Sequence, residues 1–183
     1  MKQSLFALPL GMLLAMGVSS AFATTGTINF EGMITDTTCP IEIINPETGI
    51  PGNLVRLGRV SKNQFTAVGA EAGHREFAMR VTPGAGCTSP AKATVTFTGV
   101  YGSTGAAGTL HALRAGSGYA RGVGLAIIDN KGALVSYGAP SAEYALDDTS
   151  PTDMRFFAAY KSTLATVEAG SAQVEVVFTV SIS

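Results

Sequence analysis

The sequence predicts an all-β protein, and two patterns in it carry that prediction. Short runs rich in Val, Ile, Thr and Phe, such as residues 95–97 and 123–128, are separated by clusters of Gly, Asn, Ser and Pro. Near the C-terminus, residues 173–182 alternate between an apolar face and a mainly polar one, which is the period of a half-buried strand. Helix patterns are poor throughout, so we expect strands joined by turns.

The first 23 residues have the features of an export signal. Lys2 precedes a nearly unbroken apolar run at residues 5–18, and Ala21-Phe22-Ala23 is a small-residue cleavage site. We expect the mature chain to begin at Thr24 and to span 160 residues, a length that suits one domain. No later stretch reaches the roughly 18 apolar residues of a spanning helix, so the product is expected to be exported and soluble.

The charge balance argues against nucleic acid as a partner. Loss of Lys2 with the signal leaves 11 basic residues against 13 acidic ones, and this weak negative charge attracts neither nucleic acid nor anionic membrane. With 22 glycines and only 14% charged residues, the surface is expected to carry many small side chains. Such a surface suits close packing against copies of the same chain.

Cys39 and Cys87 are the two cysteines of the chain. An exported protein with an even number of cysteines enters a compartment in which disulfides form. We therefore expect a disulfide between them, and the alternative is two free buried thiols. Closing a loop of about 49 residues would stabilise the fold by roughly 4 kcal/mol if chain entropy dominates.

The first strand expected after the signal covers residues 27–34. One of its faces consists of Ile28, Phe30, Gly32 and Ile34, and the intervening positions are mostly polar. This strand precedes Cys39, which would tie the chain to the core. On the sequence alone, it either folds back into its own domain or remains outside it.

The middle of the chain contains a predicted hairpin and two predicted loops. Residues 129–132, Asp-Asn-Lys-Gly, read as a turn in which Gly132 takes a positive φ, so residues 122–128 and 133–137 are expected to pair. Residues 99–108 and 139–153 are rich in turn-forming residues and are expected to be irregular connections.

The C-terminal strand has the clearest pattern of the sequence. Its apolar face consists of Val174, Val176, Phe178, Val180 and Ile182. At about 3.3 Å per residue this strand would be about 30 Å long. No following strand would cover its second edge, and a long apolar strand with an open edge needs a partner.

Five motifs in order carry a family resemblance. They are residues 26–34 followed by Cys39, the pattern Leu57-Gly58-x-Val60 with Phe65, Gly69, Phe77 and Cys87, residues 120–129, residues 156–160, and Gly170, fourteenth from the end. Together they resemble the type 1-like fimbrial (pilin) subunits of the chaperone–usher pathway over essentially all of the mature sequence. Two departures are Ile182, where the family usually has Tyr, and extra residues at 82–86 before Cys87.

The resemblance implies an incomplete Ig-like β-sandwich, with six strands and an N-terminal donor-strand extension. Residues 1–23 would be the signal peptide, 24–36 the extension and 37–183 the Ig-like pilin domain. The missing strand would leave a groove beside the C-terminal strand, which a periplasmic chaperone fills until the extension of a neighbouring subunit replaces it. The donor side chains would be those of Ile28, Phe30, Gly32 and Ile34. The acceptor groove and C-terminal strand would use Gly170, Val174, Val176, Phe178, Val180 and Ile182.

The implied function is that of a structural fimbrial subunit at the cell surface, the major shaft subunit, which supports cell adhesion. Its implied partners are copies of itself or related pilins, a periplasmic chaperone and an outer-membrane usher, without nucleic acid or cofactor. The alternatives are a minor adaptor or terminator pilin and a secreted carbohydrate-binding adhesin module. A tip adhesin would carry a further receptor-binding domain, for which 160 residues leave no space.

No catalytic or metal site is predicted. His74 and His111 have no ligand-type residues at metal-binding spacing and are expected at the surface. Residues 116–118, Gly-Ser-Gly, lack the G-x-S-x-G pattern of a serine hydrolase. Three aspartates are candidate calcium ligands, but their spacing does not fit an EF-hand loop. They are expected to be solvated turn residues: Asp147, Asp148 and Asp153.

Overall fold

The computed structural model describes residues 40–45, 48–84 and 91–183, all within one compact unit. In these residues the chain forms nine strands and one short 3₁₀ turn at Lys62–Gln64. In chain order the strands are β1 (Ile41–Ile44), β2 (Glu71–Val81), β3 (Lys92–Gly99), β4 (Ser103–Thr104), β5 (Leu110–Ala112), β6 (Val123–Ile128), β7 (Tyr144–Ala145), β8 (Thr152–Ser162) and β9 (Val176–Ile182).

The strands form two antiparallel sheets. The larger sheet has the order β1-β2-β8-β6-β5-β4, and the smaller one has the order β7-β3-β9. Of the nine strands in the described residues, six have four residues or more, and β4, β5 and β7 are shorter. The all-β fold class predicted from the sequence is confirmed.

The core consists of side chains that the two sheets direct at each other. In the larger sheet, Phe77 on β2 lies opposite Phe156 on β8, and Met79 lies opposite Met154. The ring of Phe156 stacks on Phe77 at 5.5 Å and meets Phe97 of β3 edge-on at 5.1 Å. Each aromatic pair adds about 0.5–1.5 kcal/mol beyond its buried area, so this cluster fastens the smaller sheet to the larger one.

The turn after β6 forms as predicted. The carboxylate of Asp129 accepts hydrogen bonds from the backbone N–H groups of Lys131 and Ala133 at 2.9 and 3.0 Å. Gly132 has a φ of 77°, a left-handed conformation that residues with a Cβ adopt at a cost.

The pairing beyond that turn is shorter than predicted. Leu134 forms an isolated bridge with Ile128, but the N–H of Tyr137 donates to the carbonyl of Thr109 at 2.9 Å. The N–H of Val135 still donates to the carbonyl of Ile127 at 2.8 Å, so the chain leaves β6 after Val135, because the amide of Tyr137 bonds to another segment.

Two segments expected to be irregular contain short strands. Residues 99–108 include β4, which pairs with β5, and residues 139–153 include β7, which pairs with β3, and the start of β8. Two-residue strands are too short to show a period of two, so a repeat in the sequence could not reveal them.

Several predictions lie outside the described residues. They are the signal peptide at 1–23, the extension at 24–36 with Ile28, Phe30, Gly32 and Ile34, and the disulfide between Cys39 and Cys87. These, and the domain boundaries drawn from them, stay predictions. In the part of the chain that the structure describes, no helix is long and apolar enough to cross a membrane.

Candidate functional site

Strand β9 has one paired edge and one edge without a strand partner among the described residues. Within the part of the chain that the structure describes, it pairs only with β3, from Ala93 opposite Ile182 to Gly99 opposite Val176. Just beyond, Lys92 and Ser183 exchange two backbone hydrogen bonds of 2.9 Å. Because hydrogen-bonded and non-bonded pairs alternate in an antiparallel ladder, the odd-numbered residues of β9 bond to β3. The N–H and C=O groups of the even-numbered residues therefore point to the other edge.

The alternation of hydrogen-bonded and free backbone groups continues upstream of β9. The carbonyl of Gln173 accepts from the N–H of Arg114 at 2.8 Å, and that of Ser171 accepts from Ala120 at 2.9 Å. The predicted strand began at Val174, whereas β9 begins at Val176, because loop residues rather than a strand pair with the upstream segment. The free edge nevertheless extends back through Val174.

The side chains of β9 follow the alternation read from the sequence. Val176, Phe178, Val180 and Ile182 are half-buried, whereas the residues between them are exposed. Their neighbours on β3 are far more enclosed, since Val95 is 0% and Phe97 is 3% exposed. The core is thus closed on the β3 side of β9 and open on the other.

A second wall faces β9 across this opening. It is formed by residues 53–60, whose backbone groups make no hydrogen bond within the described residues. Val55 and Leu57 pack against the core with partly buried side chains, and Leu54 remains 65% exposed. From the sequence, Leu57 was recognised only as part of a motif, and this wall was not predicted. The alternate spacing of the apolar residues Val55 and Leu57 is the weak signal that was left unused.

The two walls enclose a groove of about 450 Å³. Its β9 side includes Val174, Val176 and Phe178, which the sequence had placed together, and Val180 and Ile182 continue the same edge beyond it. Its floor is the core itself, through the side chains of Phe77, Met79, Phe97, Leu125 and Ile127. An apolar floor between two walls with unpaired backbone groups suits an extended peptide strand.

Gly170 does not line this groove but positions the segment that leads into β9. A Cβ at this residue would lie 2.4 Å from the carbonyl carbon of Tyr119 and 2.5 Å from the nitrogen of Ala120. The next residue, Ser171, donates to the carbonyl of Gly118 at 2.8 Å. Only a glycine lets the two backbones approach this closely.

The surface location predicted for His111 is wrong, although His74 is exposed as expected. His111 lies opposite Leu125 of β6 and is 0% exposed, and neither ring nitrogen has a hydrogen-bond partner among the described residues. Burial lowers its pKa to about 4. The three-residue strand β5, which carries it inward, was too short to be recognised.

Of the three aspartates expected to be solvated turn residues, Asp147 and Asp153 have structural partners, whereas Asp148 is exposed as expected. Asp147 caps a turn by accepting from Thr149 and Ser150, and these hydrogen bonds lower its pKa to about 2. Asp153 was expected in a solvated turn, but it lies in β8 and accepts two hydrogen bonds from Arg80 at 2.6 and 2.8 Å. The hydrogen bonds from Arg80 lower its pKa. No group of three or more metal-ligand side chains is found in the described residues.

Comparison with known proteins agrees with this geometry. Residues 28–183 match the family model described as fimbrial protein. Over 99% of its length the chain is 32% identical to the probable major fimbrial subunit LpfA of Escherichia coli O157:H7, covering 97% of that protein. It is 35% identical to long polar fimbria protein A of Salmonella typhimurium, with the same coverage of both chains.

Solved structures share the fold. The antigen and type I fimbria protein of Burkholderia pseudomallei is 34% identical, with a TM-score of 0.55 over 86% of this chain and 98% of that one. The P pilus rod subunit PapA shares the fold at 16% identity, with a TM-score of 0.58 over 79% of this chain and 99% of that one. The chain therefore belongs to the fimbrial protein family, and the resemblance to type 1-like fimbrial subunits predicted from its motifs is confirmed.

Proposed function

We propose that this chain is a structural subunit of a chaperone–usher fimbria and that it polymerises by donor-strand exchange. In this reaction, residues 24–36 of one copy fill the groove between β9 and residues 53–60 of the next. Because each subunit would donate at one end and accept at the other, the contact does not close on itself and generates a filament.

The observation that carries the proposal is the pair of unpaired backbone edges on either side of an apolar floor. A buried strand edge without partners is costly, and an apolar edge open to water invites pairing with another chain. One inserted strand would cover the half-buried side chains of β9 and satisfy both edges. Each apolar donor side chain would contribute roughly 1.5–3 kcal/mol of gross area burial.

The extension has the pattern that the groove requires. Ile28, Phe30, Gly32 and Ile34 recur at every second position, as do the groove-facing residues of β9. In an antiparallel pair, residues directly opposite each other have their side chains on the same face. The four donor positions would therefore lie opposite the even-numbered residues of β9. Because the backbone groups of those residues point to the free edge, the opposed residues would form hydrogen-bonded pairs. The edge from Val174 to Ile182 offers five such positions.

A major shaft role is supported by the relatives, one of which is named a probable major fimbrial subunit. The remaining steps follow from the same proposal. The chain would be exported to the periplasm, held there by a chaperone that fills the groove, and passed through an outer-membrane usher to the cell surface. In this account its role is structural, not enzymatic, and it uses no cofactor.

The test replaces the gene for this subunit with one of two variants and images the cells by electron microscopy. Phe30→Asp places a carboxylate on the apolar face of the donor strand, and burying it unpaired costs several kcal/mol, more than the roughly 2 kcal/mol that the aromatic ring contributes. We expect no filaments from this variant.

Asn29→Asp is the matched control, because it adds the same charge one residue away on the opposite face. We expect filaments from this variant, and similar amounts of both subunits in periplasmic extracts. Equal numbers of filaments from the two variants would mean that this strand is not the donor.

A further inference from the structure

Three cations flank the groove along one wall. Arg56 lies within the wall formed by residues 53–60, Arg59 lies near its end, and Lys62 begins the 3₁₀ turn that follows. All three are exposed, and none forms an ion pair within the described residues. Between Thr48 and Ala70 the chain has no acidic residue that could neutralise them.

Arg59 and Lys62 lie at the end of the groove, beyond the start of β9. They line a recess that also includes Gly170, and this recess shares Tyr160 and Ala172 with the groove itself. A strand that leaves the groove at this end therefore passes between the two cations and the segment that leads into β9.

Two of three carboxylates near the groove form ion pairs. Glu76 pairs with Arg155 at 2.9 Å, and Glu168, which lines the same recess as Arg59 and Lys62, pairs with Arg121 at 3.9 Å. Glu175 accepts a hydrogen bond from the uncharged Tyr101 hydroxyl and keeps its charge. Three cations against this one carboxylate leave a net positive charge on the unpaired groups around the groove.

The extension of a second copy carries the complementary charge. Residues 24–36 contain Glu31 and Asp36 and no basic side chain. Asp36 follows Ile34 by two positions, so it continues the groove-facing side of the strand. In an antiparallel strand, residue 36 reaches the upstream end of β9, where Arg59 and Lys62 lie.

We propose that Arg59 and Lys62 form an anion-binding end of the groove, which receives the Asp36 carboxylate of the incoming copy. This inference rests on the donor-strand function proposed above and adds the group that orients the strand. Charges at the rim of an interface act mainly on the association rate and on its salt dependence. The pair would thus favour entry of an acidic strand in one direction and disfavour basic ones.

The test follows polymerisation of the purified full-length mature subunit by light scattering, at 20 mM and 500 mM NaCl. We expect Arg59→Gln combined with Lys62→Gln to slow growth about tenfold at low salt, and the difference to shrink at high salt because ions screen the attraction. Asp36→Lys should slow growth at least as much. A chain that combines Asp36→Lys with Arg59→Glu and Lys62→Glu should recover most of the rate.

The matched control compares Lys62→Gln with Lys131→Gln, which removes the same charge from the exposed turn after β6. Wild-type polymerisation with equal rates and salt dependence in all variants would overturn this inference and leave the donor-strand proposal standing. Failure of the wild-type chain to polymerise at either salt concentration would overturn both.

Discussion

His111 places an imidazole inside the sandwich, where no described residue hydrogen-bonds to either ring nitrogen. Its neighbours offer no countercharge: Ser103 and Leu125 lie opposite it on the adjacent strands, and the ring of Tyr137 lies at 5.6 Å. Burial disfavours the charged form and lowers the pKa of His111 from 6.5 to about 4. The unfolded chain therefore binds this proton at a higher pH than the folded one does.

Stability should accordingly depend on His111 in a defined pH window. The stability that the fold has with a neutral His111 is fully present above pH 6.5. It is lost as the pH falls towards about 4, the pKa in the folded state, because only the unfolded chain binds the proton in this range. We expect the melting temperature of the wild-type subunit to fall by on the order of 5 °C more than that of His111→Leu between pH 7.5 and 4.5. At pH 7.5 the two should be similar, because an apolar side chain of comparable size leaves no unsatisfied polar atom. Parallel losses in the two proteins would exclude His111 as the titrating group.

Gly170 acts through the space it leaves, since a Cβ there would overlap the backbone of residues 119 and 120. We expect Gly170→Ala to reduce the free energy of unfolding by about 1–3 kcal/mol, as overpacking does in other proteins. Gly52→Ala is the control, because a Cβ at Gly52 meets nothing within 4 Å and its φ is not positive. The measurement is the free energy of unfolding of both variants in urea. Equal values for the two variants would show that residues 118–120 can move away from a Cβ at residue 170 at little cost.

At the scale of elements, β9 is an edge strand whose two faces differ in function. Its exposed residues, such as Thr179, face solvent, and its half-buried ones, such as Phe178, face the groove. Phe178 lies opposite Phe97, so one groove-facing side chain also contacts the floor of the groove.

The acceptor side of the exchange can be tested on this strand. We expect Phe178→Asp to abolish filaments in the assay described for Phe30→Asp, since the carboxylate would lie against an apolar floor. Thr179→Asp adds the same charge on the opposite face and should leave filaments intact. Circular dichroism of the two purified subunits separates loss of assembly from loss of folding. Filaments built from a folded Phe178→Asp subunit would contradict the account of the groove.

The elements that could be predicted from the sequence are those with a sustained repeat. The alternation in β9 and the apolar run in β6 identified two long strands, and Asp129 and Gly132 identified the turn after β6. The strands β4, β5 and β7 have three residues or fewer and show no repeat, so the inward direction of His111 was missed. The wall at residues 53–60 was also missed, because it has no ladder and only tertiary packing places it across from β9.

At the scale of the whole molecule, the sandwich is closed on one side and open on the other. Phe77, Phe97 and Phe156 hold the sheets together, while Phe77 and Phe97 also form part of the groove floor. The same core thus stabilises the subunit and forms the surface on which, in our proposal, the next subunit docks. Folding and assembly would then be parts of one process, since the inserted strand completes the core.

The most direct test of this account is amide hydrogen exchange along β9 in assembled filaments, resolved residue by residue. The amides of Val177, Thr179 and Ser181 bond to β3 within the subunit and should exchange slowly whether or not a strand is inserted. The amides of Val176, Phe178 and Val180 point into the groove and can be protected only by a strand that pairs with this edge. We predict slow exchange for both sets in filaments. Fast exchange confined to Val176, Phe178 and Val180 would show that no strand pairs with β9 and would contradict the account.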